Sequence, residues 1–101
     1  MRGSLIELNS WVDTCVAEFA DSDQDPSDYA HECADGSQWA IYYGMAWDLV
    51  DACRDHAPEM LDDADDTYSD IYPNDDTDIN TRMCRLAYLI AHDALWSALS
   101  K

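Results

Sequence analysis

Apolar residues recur every three or four positions through most of the chain, the spacing of one helix face. Leu5, Leu8, Val12, Cys15, Val16 and Phe19 form the first such stripe. Ser4 and Glu7 at its start match the reciprocal capping pair that satisfies orphan N–H groups, so a helix is predicted from about Ser4 to about Ala20. The run Asp21-Ser22-Asp23-Gln24-Asp25-Pro26 stacks poor helix formers and ends it. Asp25 as cap and Pro26 at the first helical position then start a short helix reaching about Ala34.

Asp35-Gly36 breaks that helix, and Ser37 is read as the cap of a longer one. Its buried face runs through Trp39, Tyr42, Tyr43, Ala46, Leu49, Val50 and Cys53. Pro58 restarts the helix, because proline fits a first turn but removes a hydrogen bond from an interior. Met60, Leu61 and Ala64 give the next segment, to about Tyr68, a thin apolar cover. Turn chemistry makes Ile71-Tyr72-Pro73-Asn74-Asp75-Asp76 a loop, and Asp76 or Thr77 is expected to cap a last helix from about Asp78 to Leu99. Ile79, Met83, Leu86, Ile90 and Ala94 form one of its stripes, and Leu89, Trp96 and Leu99 add another. A helix apolar on two faces is central to a bundle, or also supplies a homodimer contact. With no β-alternation and no repeat, the expectation is a single all-α domain over residues 1–101, a compact bundle of four or five helices.

Composition changes this picture in one respect. Leu, Ile, Val and Phe number only 17 of 101 residues, which together with the high charge would suggest disorder. Four Trp, six Tyr, four Met and thirteen Ala supply the missing apolar area, so a core can form.

Charge narrows the function. Twenty-two acidic residues, 18 of them Asp, stand against five basic ones, for a formal net charge of -17. Direct nucleic-acid binding needs a basic stripe to displace counterions, and Arg2, Arg54, Arg82, Arg85 and Lys101 are scattered. Anionic membranes are disfavoured for the same reason, and no apolar run approaches the roughly 20 residues of a membrane span. The N-terminal residues lack the apolar block of a secretion signal, so a cytoplasmic protein is expected. On that footing Cys15, Cys33, Cys53 and Cys84, with no CxxC pair, read as reduced and buried thiols rather than a disulfide framework.

Several clusters have the residue types of metal chemistry. Asp21, Asp23, Asp25 and Glu32 fall at positions 1, 3, 5 and 12 of a calcium-loop pattern, but Pro26 replaces the glycine its sharp turn requires. Asp62-Asp63-Ala64-Asp65-Asp66 has the DDxxD spacing with which isoprenoid synthases hold Mg²⁺ and a diphosphate. This chain is too short to enclose their cavity and has no basic cluster for the phosphates. A helical pyrophosphatase using Asp62, Asp63, Asp66 and Asp70 is the enzyme alternative. His31 with Cys33, and Cys53 with His56, are pairs that zinc could use. The plainer assignment makes Cys53 core, His56 a favourable charge at a helix C-terminus, and His31 exposed. No nucleophile with an evident base is present.

The acids themselves form a pattern. Asp48, Asp51, Asp55, Glu59, Asp62 and Asp66 are spaced by three and four, and lie on one line if helix direction is kept across Pro58. Such a line would be on the order of 27 Å long with a carboxylate every ~4.5 to 6 Å, comparable to the phosphate pitch of a nucleic-acid strand. Asp is a poorer helix former than Glu, so helix stability does not account for its use here. Adding Asp63 and Asp65 gives the candidate partner-binding surface, with Arg54 as an internal counter-charge and Trp39, Tyr42, Trp47 and Trp96 as core or interface anchors.

In size, charge and this acidic stripe the chain resembles the small acidic helical inhibitors of phages and mobile elements, the DNA-mimic anti-CRISPR and anti-restriction proteins. Asp75, Asp76 and Asp78 could extend the stripe. The resemblance implies a non-catalytic, cofactor-free blocker that occupies the Lys/Arg groove of a nuclease or CRISPR effector in the host cytoplasm and excludes DNA. The alternative from composition is an acidic protein-interaction module, halophilic or of the antitoxin or assembly-subunit kind, whose carboxylates keep it hydrated.

Overall fold

The computed structural model describes the backbone of residues 3–100 and the side chains of residues 5–100. Within them lie six helices and no strand: α1 Gly3–Phe19, α2 Pro26–Asp35, α3 Gln38–Ile41, α4 Tyr43–His56, α5 Pro58–Ile71 and α6 Ile79–Leu99. The all-α bundle is as expected. Asp25 caps α2 by accepting from the Ser27 N–H at 3.0 Å, with Pro26 in the first turn. Pro58 likewise opens α5. The Ser4 side chain, half of the expected capping pair on α1, lies outside the described residues.

α6 is the axis of the bundle, packing against all five other helices. Its Met83, Leu86, Ala87, Leu89, Ile90 and Leu95 meet Leu8, Val12 and Cys15 of α1, Tyr29 and Ala34 of α2, Trp39 of α3, Leu49, Val50 and Cys53 of α4, and Ala64 and Tyr68 of α5 in one core. Ala30, Ala34, Ala46, Ala64, Ala87 and Ala91 are wholly buried, and such short side chains let the axes approach closely. No helix among the described residues is long and apolar enough to cross a membrane.

Three boundaries differ from the sequence expectation, and the smallest difference is at the end of α5, which runs on past Tyr68 through Ile71, a residue expected in the loop. The helix expected to run unbroken from Ser37 is split at Tyr42, whose φ of -104° and ψ of 122° are extended, making six helices rather than four or five. Tyr42, Tyr43 and Gly44 are weak helix formers in succession, which makes this the cheapest place to turn. The break changes the helical phase, so Tyr42 and Tyr43, expected to be buried, are 62% and 52% exposed. Ser37 stands at the N-cap position of α3, but its hydroxyl donates back to the Ala34 carbonyl at 2.7 Å instead of capping.

At α6 the cap is Asp78, which accepts from the Thr81 N–H at 2.9 Å, rather than Asp76 or Thr77. Asp75 already holds Thr77 through its N–H and its hydroxyl, leaving Asp78 to start the helix. Ile79, expected in the core stripe, is the first residue of α6 and is exposed, as is Trp96 near the other end.

Candidate functional site

The acidic surface is carried by α4 and α5. Ala46, Leu49, Val50 and Cys53 turn one side of α4 into the core. At 100° per residue Asp48, Asp51 and Asp55 fall diametrically opposite, and all three are exposed. On α5 the buried side centres on Ala64 and Tyr68, with Met60 and Leu61 partly covered. Glu59, Asp62 and Asp66 are exposed on the far side, and Asp63 is exposed on the flank, where it borders a groove with Met60 and with Ile90, Asp93, Ala94 and Ser97 of α6. Asp65 is only partly exposed, because it sits at the edge of the buried face, next to Leu61 and Tyr68 in projection.

The two rows are not one straight line. Ala57, with φ -149° and ψ 58°, leaves the helical region between α4 and α5. A residue before proline is driven out of that region by contact with the proline ring, so Pro58 imposes the break. The array is therefore two rows, Asp48-Asp51-Asp55 and Glu59-Asp62-Asp66, each about 10 Å long by helix rise. Arg54 forms its expected counter-charge by donating to Asp51 at 2.7 Å; both side chains are more than half exposed, so the pair contributes little stability.

The aromatic candidates separate. Trp39 is 1% exposed and packs edge-on to Trp11 at 5.4 Å. Trp47 is partly buried and donates from Nε1 to Asn80 at 2.9 Å, joining α4 to the start of α6. Tyr42 and Trp96 are at the surface.

The metal patterns do not assemble. Among the described residues no group of three or more His, Cys, Asp or Glu side chains is placed to share an ion. Asp25 is occupied as a helix cap, and Glu32 accepts from Gln24 at 2.7 Å. Cys53 is fully buried, and burial together with the charge of Glu59 pushes its thiol up to about 11. The neighbour of Cys33 is Cys15 instead: burial first, then this second thiol, pushes Cys15 up to about 12. All four cysteines are free thiols.

Sequence reasoning missed a second feature, a cleft of about 500 Å³ between α2, α3, the end of α5 and α6. Two of its walls are tyrosines held in place. The Arg85 guanidinium lies 4.3 Å from the centre of the Tyr72 ring and pairs with Asp75 at 3.4 Å. The Tyr88 hydroxyl is hydrogen-bonded to His31 Nδ1 at 2.6 Å. Desolvation raises the Tyr88 phenol above its ordinary range, and the Asp35 carboxylate nearby adds to this. The available signal was Arg82 and Arg85 three residues apart in a chain with so few cations; Arg82 also lies over a ring, that of Tyr68, at 5.4 Å. Comparison with protein-family models, curated proteins and solved structures gave no match.

Proposed function

We propose that the protein is a non-catalytic inhibitor that presents the α4–α5 carboxylates to the basic nucleic-acid groove of a nuclease or CRISPR effector, in the manner of the DNA-mimic anti-CRISPR and anti-restriction proteins. The observation that supports this reading is that Asp48, Asp51 and Asp55 point directly away from a fully buried helix face. Glu59, Asp62, Asp63 and Asp66 continue the array on a second helix anchored to the same core. Charges on packed helices are pre-organised, so a basic partner need not order them on binding. The long-range field of a -17 chain speeds encounter with such a partner. Two short rows at an angle would follow a curved phosphate path rather than a straight one.

The test is capture of partners from a host lysate, with and without competing duplex DNA, by the native chain and by Asp51→Lys with Asp62→Lys. The reading requires that nucleic-acid-binding proteins be captured, that DNA release them, and that the double variant lose them. Capture indifferent to both DNA and the reversed charges defeats it.

One observation favours a second reading. Of the 22 acidic side chains all but Asp65 and Asp75 are exposed, on α1, α2 and the loops as well as on α4 and α5. That is the distribution expected of a protein whose acidity serves hydration in concentrated salt, and a chain of that kind requires molar KCl to fold.

A further inference from the structure

The cleft beside α6 concentrates groups that are scarce elsewhere. It holds Arg85 of α6, one of three described arginines, with His31 of α2 as a second nitrogen group, and the Asp35 carboxylate one turn further along α2. Between them lie the apolar and aromatic walls of Ile71, Tyr72 and Tyr88. Asp35 is the last residue of α2, where the helix dipole disfavours a negative charge, so its placement does not serve the helix. Arg85 is held by its stack on Tyr72 and its pairing with Asp75, and Tyr88 is held through His31, so these side chains are positioned before anything binds. A cleft of about 500 Å³ falls within the ordinary range for small-ligand sites of mixed apolar and polar lining.

We propose that this cleft binds a small zwitterion with an aromatic side chain, of the aromatic amino acid class. Its ring would lie on the Tyr88 and Ile71 walls and against the edge of Tyr72, its carboxylate toward Arg85 and His31, and its ammonium toward Asp35. Net charge selects among ligands of this shape. An anion that lacks the ammonium is repelled by the field of a -17 protein, and an amine that lacks the carboxylate leaves Arg85 and His31 without their contact and is drawn as well to every other exposed acid. A neutral zwitterion meets neither effect and gains both local contacts. The site shares none of the α4–α5 carboxylates of the proposed partner surface.

Calorimetric titration of the full chain with L-phenylalanine, 3-phenylpropanoate and phenethylamine tests the assignment, with chemical-shift changes locating each ligand. L-phenylalanine should bind saturably with Kd at or below ~1 mM, shift resonances of Tyr88 and Ile71, and bind at least several-fold more tightly than either comparator. Asp35→Asn, at an exposed helix end where loss of charge does not threaten folding, should weaken L-phenylalanine several-fold and bind 3-phenylpropanoate as tightly as the native chain or more so, because a carboxylate beside the anion is gone. No saturable binding, equal binding of all three probes, shifts away from the cleft, or an Asp35→Asn variant that binds as tightly as the native chain would each overturn the proposal.

Discussion

The Tyr68 hydroxyl donates to the Asp75 carboxylate, tying the last turns of α5 to the loop that enters α6. Asp75 also accepts from the Thr77 hydroxyl at 2.6 Å and its N–H at 3.0 Å, and pairs with Arg85. Arg85 in turn covers the Tyr72 ring, which leans on Tyr68 at 4.9 Å, so one carboxylate organises both ends of the connection.

This arrangement gives the fold a definite response to acid. Hydrogen bonds from Thr77 and Tyr68, with Arg85 assisting, lower Asp75 from the ordinary 3.8 to about 2, and Asp78 is lowered by the Thr81 N–H. A carboxylate with a depressed folded pKa binds its proton more readily in the unfolded chain. Its stabilising effect is therefore complete above about 4 and is lost as pH falls through about 2. Asp75→Asn should lower the melting temperature at pH 7 and converge on the native chain near pH 2; melting curves across that range check it. A constant difference over the range would show that the Asp75 charge does not act in this way.

Tyr29 donates to the Cys15 carbonyl at 2.7 Å and packs against Phe19, linking α2 to α1. Tyr29→Phe keeps the ring and deletes the buried hydrogen bond. A loss of ~1 kcal/mol is expected, which in a domain of this size is a fall of roughly 4 to 8 °C in melting temperature. An unchanged melting temperature would mean that the carbonyl is equally well served without the phenol.

How far the sequence reveals the molecule depends on how local each determinant is. The start of α2 is written in Asp25-Pro26 and that of α5 in Pro58, because caps and proline act on their immediate neighbours. Exposure of Asp48, Asp51, Asp55 and Glu59 was equally legible, since it follows from helical phase alone. The bend at Ala57 was foreshadowed by the proline after it. The break at Tyr42 was not legible in the periodicity: Trp39, Tyr42, Tyr43 and Ala46 keep a helical period through it, and the weak helix formers Tyr42, Tyr43 and Gly44 mark where a turn is cheap without requiring one. The Asp75 cluster, the Cys15–Cys33 contact and the cleft join residues from separate helices. Their existence depends on how α1, α2, α3, α5 and α6 dock, which no local pattern encodes.

Trp39 is the largest fully buried side chain, and its Nε1 has no acceptor among the described residues. Two effects oppose each other on substitution. Trp39→Ala removes the ring that anchors α3 and should destabilise by ~3–5 kcal/mol. Trp39→Phe loses part of that area but also removes a buried donor left without a partner, itself a cost of ~1–3 kcal/mol. The phenylalanine variant should therefore lose well under half of what the alanine variant loses in urea unfolding. Equal losses would show that the indole N–H is satisfied in solution.

Self-repulsion among the α4–α5 carboxylates gives a prediction that separates the two readings of the acidity. Reversing Asp51 and Asp62 to lysine removes like-charge repulsion on an exposed surface, which should raise the melting temperature in dilute buffer. Loss of the Arg54–Asp51 pair subtracts little, because both groups are exposed. The gain should shrink as salt shortens the screening length from ~10 Å at 0.1 M to ~3 Å at 1 M. A surface kept for a basic partner sacrifices stability for charge, so the native chain should fold at 0.05 M KCl and the reversed variant should be more stable but fail to bind. A surface kept for hydration in brine predicts the reverse order: the native chain unfolds at 0.05 M, gains steadily to 3 M, and the lysine variant loses that gain. Melting curves of both chains from 0.05 to 3 M KCl, on the order of a screening-length change from above 10 Å to below 3 Å, decide between them.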